Sequence, residues 1–184
     1  MSCQYETTKD AAKAGDVTKL KRMIEKINNG LMTWHPETTY YAASNGQKEC
    51  LEICVANNCP WDPKTTYWVA INGHKECLEI CAKYNCPWDP ETTYWAACYG
   101  HKECLEICAK YNCPWHPQTT LAAANNGHKK CLEYIFENCK DLVSWEDSGL
   151  EENISEFSEE IQQYLMSVKD EWKWYKKRSQ NIKG

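Results

Sequence analysis

The sequence predicts an all-α solenoid of about five helix-turn-helix repeats, closed by a C-terminal capping helix. The first observation behind this prediction is a pair of near-identical copies, residues 59–85 and 86–112, which differ at only four positions. The second is that tryptophan and glycine recur every 27 residues, both within these copies and on either side of them. A fixed period of this length is typical of repeat architectures, in which each unit packs only against its neighbours. The recurring residues are Trp34, Trp61, Trp88 and Trp115, and Gly46, Gly73, Gly100 and Gly127.

The composition narrows the possible partners and locations. The chain has 184 residues, of which 42% are hydrophobic, enough for a continuous core once neighbouring repeats cover each other. Its net charge of −5 disfavours nucleic acid as a partner, because phosphate binding needs clustered lysine and arginine. No stretch of about 18 apolar residues is present, so we expect no membrane association through a spanning helix. Residues 1–16 lack the apolar segment of a secretory signal, and the expected location is therefore the cytoplasm.

Each unit is predicted to contain a turn, a first helix, a glycine turn and a second helix. In one unit, Thr65 and Thr66 stand where a hydroxyl can cap the first helix, and Gly73 ends that helix. Pro87 stops the second helix, because proline lacks a donor and disfavours helix in the residue before it. The tryptophans between units are expected to cover the gaps between neighbours. The predicted boundaries are an N-terminal cap repeat at 5–30 and full repeats at 35–61, 62–88, 89–115 and 116–142, within an array of residues 1–145.

Residues 146–184 are predicted to form an amphipathic helical extension outside the repeats. The register breaks before it, because Trp145 stands three residues beyond the position that the period indicates. Asn153 and Glu156 resemble a capping box, so we expect a long helix to begin at Asn153. This helix either covers the exposed core of the last repeat or docks a partner. Its apolar positions, at three- and four-residue steps, are Ile154, Phe157, Ile161, Leu165, Val168 and Trp172.

Two short stretches carry a known repeat motif, AASNG at residues 42–46 and GHKECL at residues 100–105. Together with the N-C-P-W-D turns, they resemble the short ankyrin-type repeats of giant DNA viruses of amoebae, over roughly residues 5–140. The resemblance implies an ankyrin-like solenoid that binds a host or viral protein through a concave surface of first helices and turns. The period is shorter than the common ankyrin length of about 33, so tight turns are expected in place of long β-hairpin fingers.

Histidine and cysteine recur with spacings that could place them on one side of a helix, and zinc takes such ligands in a tetrahedron. Two substitutions argue against a metal site: Gln47 replaces the histidine in an earlier unit, and Ile135 replaces a cysteine in the last. We therefore expect no metal and no cofactor, and interpret most cysteines as reduced thiols that pack like small apolar residues. The two candidate sets are His74, Cys77, Cys81 and Cys86, and His101, Cys104, Cys108 and Cys113.

Enzyme motifs are missing from the sequence. It contains no Gly-rich phosphate loop, no G-x-S-x-G and no H-E-x-x-H. A catalytic cysteine would need a base and an orienting partner, and near-identical repeats single out no such set. The sequence therefore predicts no enzyme and no catalytic residue.

The differences between the two near-identical copies point to recognition. Two of them, Ile71/Cys98 and Asn72/Tyr99, fill the variable positions before the glycine. By resemblance, these positions lie on the concave binding surface. Tyrosine and tryptophan, which often dominate binding energy, are abundant beside them, although one member of each Tyr–Trp pair is alternatively expected to pack against the next repeat. The predicted partner-binding residues are Tyr41, Ser44, Asn45, Lys64, Trp68, Ile71, Asn72, Glu91, Trp95, Cys98, Tyr99, Asn125 and Asn126.

The sequence thus predicts a monomeric, non-enzymatic scaffold that binds a partner protein. Two alternatives stay open at this point. In the first, the chain is an adaptor that recruits a target to ubiquitin-ligase machinery through its C-terminal helix. In the second, it is a zinc-binding Cys/His repeat protein.

Overall fold

The computed structural model describes residues 6–143, 145 and 148–182. Over these residues the chain contains helices and turns but no β-strand, and tight turns connect the repeats. Every helix in the described ranges is too short or too polar to pass through a lipid bilayer. The helices are α1 (Thr8–Ala14), α2 (Val17–Asn28), α3 (Thr38–Ser44), α4 (Lys48–Ala56), α5 (Thr65–Asn72), α6 (Lys75–Lys83), α7 (Thr92–Cys98), α8 (Lys102–Lys110), α9 (Thr119–Asn125), α10 (Lys129–Asn138), α11 (Leu150–Asn153) and α12 (Glu159–Ile182).

The helices form two layers. Helices α1, α3, α5, α7 and α9 each contact the next in this series, and we call them the first-helix layer. Helices α2, α4, α6, α8 and α10 follow one another in the same way and form the second-helix layer. Within each repeat the two helices also contact each other. This arrangement confirms the predicted all-α solenoid of repeated helix pairs.

The core lies between the layers and repeats with the sequence. The first helices contribute buried alanines, one of which is replaced by Val69 in α5, and each second helix contributes a fully buried leucine, as at Leu78 and Leu105. The inter-repeat tryptophans, including Trp61 and Trp88, are half-buried and pack against this core, as the sequence predicts. Because helices this short cannot bury an apolar face alone, each pair depends on its neighbours.

A glycine and a histidine interlock neighbouring repeats. Gly73 ends α5 with a φ of +69°, a left-handed conformation that glycine adopts without strain. The ring of His101, from the next repeat, lies against this glycine, and its Nε2 is 3.0 Å from the carbonyl oxygen of Ile71. His128 makes the equivalent 3.0 Å contact with Cys98. Each histidine thus binds a carbonyl at the C-terminal end of the preceding first helix.

The paired threonines join the repeats instead of capping the helices. Lys64 and Glu91 are the N-cap residues of α5 and α7, and neither makes a side-chain capping bond. The buried hydroxyl of Thr66 accepts a hydrogen bond from the Asp89 backbone N–H at 2.9 Å and contacts the Thr92 hydroxyl at 3.1 Å. The sequence interpretation of these threonines as N-caps was wrong, because the hydroxyls point into the interface with the next repeat.

Similar bonds occur at the other repeat interfaces, and we call the set the threonine spine. Its members beyond Thr66 are Thr8, which contacts Thr38 at 2.7 Å, Thr39, which donates to the Pro60 carbonyl at 2.9 Å, and Thr93, which contacts Thr119 at 2.9 Å. Each also accepts a backbone N–H from the residue after the inter-repeat tryptophan. The spine ends at Thr120, whose buried hydroxyl has no hydrogen-bond partner in the described part of the chain.

The C-terminal extension begins differently from the sequence prediction. The long helix α12 starts at Glu159, not at Asn153, and a separate short helix α11 precedes it. Asn153 forms no capping box, because its side chain donates to the Gly149 carbonyl at 2.7 Å. The predicted apolar positions Phe157, Ile161 and Leu165 are buried, whereas the side chain at 172 lies outside the described part.

The extension continues both layers of the solenoid. Helix α11 contacts α9, and α12 contacts α10. The Ser148 hydroxyl donates to the Trp145 carbonyl at 2.6 Å, as the Thr92 hydroxyl donates to the Asp89 carbonyl at 2.7 Å. The extension therefore covers the end of the core as a diverged helix pair, of which α12 is much longer than the helices it follows.

The glycine–histidine interlock predicts unequal costs for two alanine substitutions. Gly73→Ala should lower the free energy of unfolding by about 3 kcal/mol, because a Cβ there overlaps the His101 ring and the left-handed φ adds strain. Gly127 has a φ of +71°, yet its Cβ would meet nothing within 4 Å. Gly127→Ala should therefore lose only the roughly 1–2 kcal/mol of backbone strain. Urea unfolding measures both, and equal losses would contradict the interlock.

Candidate protein-binding surface

The residues predicted to bind a partner all lie on the first-helix layer. Each belongs to α3, α5, α7 or α9, or is the residue that directly precedes or follows one of these helices. The structure therefore brings the predicted set together on successive helices of one layer.

Seven aromatic side chains form a continuous line across this layer. Within a repeat, neighbouring rings meet edge to face, with centroid distances of 5.1 Å for Tyr67–Trp68 and 5.0 Å for Tyr94–Trp95. Between repeats, Tyr67 contacts Trp95 at 5.8 Å. Such edge-to-face pairs are favourable because the positive ring edge meets the negative ring face. We call this line the aromatic strip, which consists of Tyr40, Tyr41, Tyr67, Trp68, Tyr94, Trp95 and Tyr99.

The rings of the aromatic strip pack mainly against one another. Tyr94 packs against the buried core, whereas the other six rings are not among the half-buried apolar residues that do so. Tyr99 keeps 51% of its surface exposed. The contacts of Tyr40 with Trp68 and of Tyr67 with Trp95 confirm that one member of each pair packs against the next repeat. The aromatic strip is thus a surface whose rings are held in place mainly by contacts with one another.

The strip ends in the last full repeat. The period places Leu121 and Ala122 where Tyr94 and Trp95 stand one repeat earlier. Tyr94 consequently meets His116 across the interface, with ring centroids 5.3 Å apart. His116 is absent from the predicted site. The 27-residue period could have indicated its role. Ala122 stands where the period would place a tryptophan, so Tyr94 lacks the kind of partner that Tyr67 has in Trp95.

The two near-identical copies differ in how they hold their tryptophans. In one, the Glu91 carboxylate accepts a hydrogen bond from the Trp95 indole N–H at 2.9 Å. In the other, Lys64 takes the place of the acid and cannot accept this bond. The copies also differ where one has Asn72 and the other has Tyr99. The ring of Tyr99 stacks on Trp95, with the ring centroids 6.0 Å apart and an interplanar angle of 26°. These substitutions therefore change the surface of the strip and leave the core intact.

Asparagine closes the first helix in the other repeats. The side chains of Asn45, Asn72 and Asn126 each donate to the carbonyl four residues earlier at 2.9 Å. In α3 and α9 the same carbonyl also accepts the backbone N–H of that asparagine at 3.3 Å, so the side-chain amide adds a second hydrogen bond at the end of the helix. Tyr99 replaces that asparagine in the third full repeat. The chain therefore exchanges a helix-closing amide for an exposed ring at this position.

Burial divides the remaining predicted residues. Ser44 is buried and Cys98 is half-buried against the core, so each offers a partner little side-chain surface. Asn125 is exposed at the far end of the layer. Ile71 is half-exposed and lies outside the set that packs against the core, which places an accessible apolar side chain beside the strip.

The histidines and cysteines considered for zinc do not come together. His101 is engaged with the Ile71 carbonyl of the preceding repeat. Burial raises the pKa of Cys104 to about 12 and that of Cys77 to about 11, so both stay protonated near neutral pH. The thiol of Cys81 is hydrogen-bonded to Cys86, and this bond together with burial raises the pKa of Cys81 further. Among the residues the structure covers, no three metal-ligating side chains are grouped to hold an ion.

No protein-family model matches this chain, and a search of curated proteins finds no match. The resemblance to ankyrin repeats and to viral proteins therefore stays a prediction.

The burial of the thiols predicts selective alkylation. Cys98 is half-buried, whereas the other cysteines with described side chains are buried. When the native protein is treated with iodoacetamide near pH 8, Cys98 should be labelled at least about tenfold faster than the cysteines that are later recovered in the tryptic peptide ECLEICAK. The reason is that alkylation needs an accessible thiolate. That peptide occurs in both copies and contains Cys77, Cys81, Cys104 and Cys108. Mass spectrometry measures the rates, and labelling in denaturant is the control. Equal native rates would contradict the described burial.

Proposed function

We propose that this chain is a non-enzymatic, ankyrin-like repeat protein that binds a partner protein through its first-helix layer. The observation that carries the proposal is the aromatic strip, whose rings contact one another on the accessible surface of successive repeats. Tyrosine and tryptophan are the side chains that most often dominate binding energy in protein interfaces. An extended aromatic surface of this kind is a common mark of an interaction site.

The strip is also held rigidly. Each ring is fixed by its neighbours, and each first helix is fixed by the threonine spine and by packing in the core. A surface that is ordered before binding loses little conformational entropy when a partner arrives. This pre-organisation supports binding by the folded array without rearrangement of the helices.

The differences between the copies favour recognition of one particular partner. Substitutions at 64/91 and 72/99 alter charge and ring stacking on the strip, while the core leucines and cysteines of the two copies stay the same. As part of the proposal, the chain acts as a monomer in the cytoplasm, which is that of an infected host cell if the viral resemblance holds. The partner is then a host or viral protein.

The test is capture of partners from a cell lysate by immobilised full-length chain. The double variant Ile71→Asp with Tyr99→Asp places two charges on the accessible surface beside and within the strip. Its matched control is Ala56→Asp with Tyr84→Asp, which puts the same charges at exposed positions of the second-helix layer. Circular dichroism and thermal unfolding show whether each variant remains folded.

The proposal predicts proteins that are retained by the intact chain and by the control, and lost from the strip variant by at least about tenfold. Equal retention by the intact chain and both variants would contradict binding through this surface. Loss from the control alone would move the binding site to the second-helix layer.

A further inference from the structure

The charges beside the aromatic strip indicate the chemistry of its partner. We propose that the middle of the strip binds an arginine-rich segment of a partner protein, centred on Tyr67, Glu91, Trp95 and Tyr99. This inference rests on the function proposed above and narrows it to one class of ligand. It follows from three features of these residues: their negative charge, the orientation of their rings, and a lysine–aromatic contact at the other end of the same strip.

Two carboxylates lie beside the middle of the strip without a compensating cation. Asp89 accepts the backbone N–H of Glu91 at 2.8 Å, and Glu91 accepts the indole N–H of Trp95. In the described part of the chain, neither forms an ion pair with lysine or arginine. Burial raises the pKa of Tyr67, and the negative charges of Glu91 and Asp89 raise it further.

The N-terminal end of the strip is already occupied by cations of the chain itself. Lys9 pairs with Glu37 at 3.1 Å, and its Nζ lies 4.8 Å from the ring centroid of Tyr41. Lys13 approaches the same ring at 5.5 Å. A cation over an aromatic face is attracted by the ring quadrupole, so this end demonstrates the contact that the middle can offer to a partner.

The ring geometry in the middle favours arginine over lysine. Trp95 and Tyr99 are nearly parallel, and Tyr99 is parallel to His101 within 16° at a centroid distance of 6.5 Å. A planar guanidinium stacks on aromatic faces and can donate two parallel hydrogen bonds to a carboxylate such as Glu91. An ammonium is a point charge and gains less from this combination. Nucleic acid is disfavoured, because its phosphates would meet Asp89 and Glu91.

The experiment measures binding of three short fluorescent peptides to the full-length chain by anisotropy. The peptides have the same length and alternate serine with arginine, with lysine or with glutamate. We expect the arginine peptide to bind tightest, the lysine peptide several-fold more weakly and the glutamate peptide weakest. Binding of the arginine peptide should weaken as salt is raised, because salt screens exposed charges.

Two variants with the same charge change locate the site. Glu91→Lys introduces the residue that the preceding copy carries at Lys64, so the fold has a native precedent for it. Glu91→Lys should lower the affinity of the chain for the arginine peptide by at least about tenfold. Glu103→Lys makes the same change at an exposed position of the second-helix layer and should alter affinity by less than about twofold. Tyr99→Asn introduces the residue that the preceding copy carries at Asn72. It should lower the affinity for the arginine peptide more than that for the lysine peptide, because it removes the ring on which a guanidinium stacks.

Three results would overturn the inference: equal affinity for the arginine and glutamate peptides, equal effects of Glu91→Lys and Glu103→Lys, or tighter binding of a single-stranded oligonucleotide than of the arginine peptide. The two proposals fail separately. A captured partner that is lost with the Ile71/Tyr99 variant but retained by Glu91→Lys would leave protein binding intact and reject an arginine-rich ligand. A partner retained by the Ile71/Tyr99 variant would instead reject the binding surface.

Discussion

Hydrogen bonds between buried threonines of neighbouring repeats set the register of the whole array. A buried hydroxyl is stable only when it has partners, and Thr66 and Thr93 find theirs in the backbone and threonines of the next repeat. Each bond fixes the inter-repeat turn against the start of the following first helix. Because successive first helices are aligned in this way, the alanines, leucines and cysteines of the core meet at each interface.

The same alignment brings the rings of the aromatic strip together. Tyr67 reaches Trp95 across an interface only because α5 and α7 are held side by side in this register. The glycine–histidine interlock acts at the opposite end of these helices, where His101 binds the Ile71 carbonyl. With both ends fixed, variable residues such as Glu91 and Tyr99 can change the chemistry of the strip without disturbing the core. The core and the aromatic strip therefore use different positions of one repeat.

The fold was largely predictable, because a 27-residue period with glycine and proline stops specifies helix pairs locally. The layer of the candidate site was predictable for the same reason. The contacts between repeats could not be predicted, because a local sequence pattern does not indicate which group a threonine hydroxyl will bond. Thr66 was therefore interpreted as a helix cap, whereas its hydroxyl contacts that of Thr92 in the next repeat. The apolar residues after Asn153 continue at three- and four-residue steps, so the sequence did not indicate that the long helix begins only at Glu159. His116 was missed because its role depends on Tyr94 in the preceding repeat.

The most direct test of this account compares Thr93→Val with Thr120→Val. Both threonines are buried at the same position of the repeat, but Thr93 bonds to Thr119 and His116, whereas the Thr120 hydroxyl has no partner among the residues that the structure describes. The free energy of unfolding should fall by about 1–3 kcal/mol for Thr93→Val, because the buried Thr119 hydroxyl and the half-buried His116 backbone N–H lose this partner. It should stay the same or rise for Thr120→Val. Equal losses in the two variants would contradict a hydrogen-bonded threonine spine.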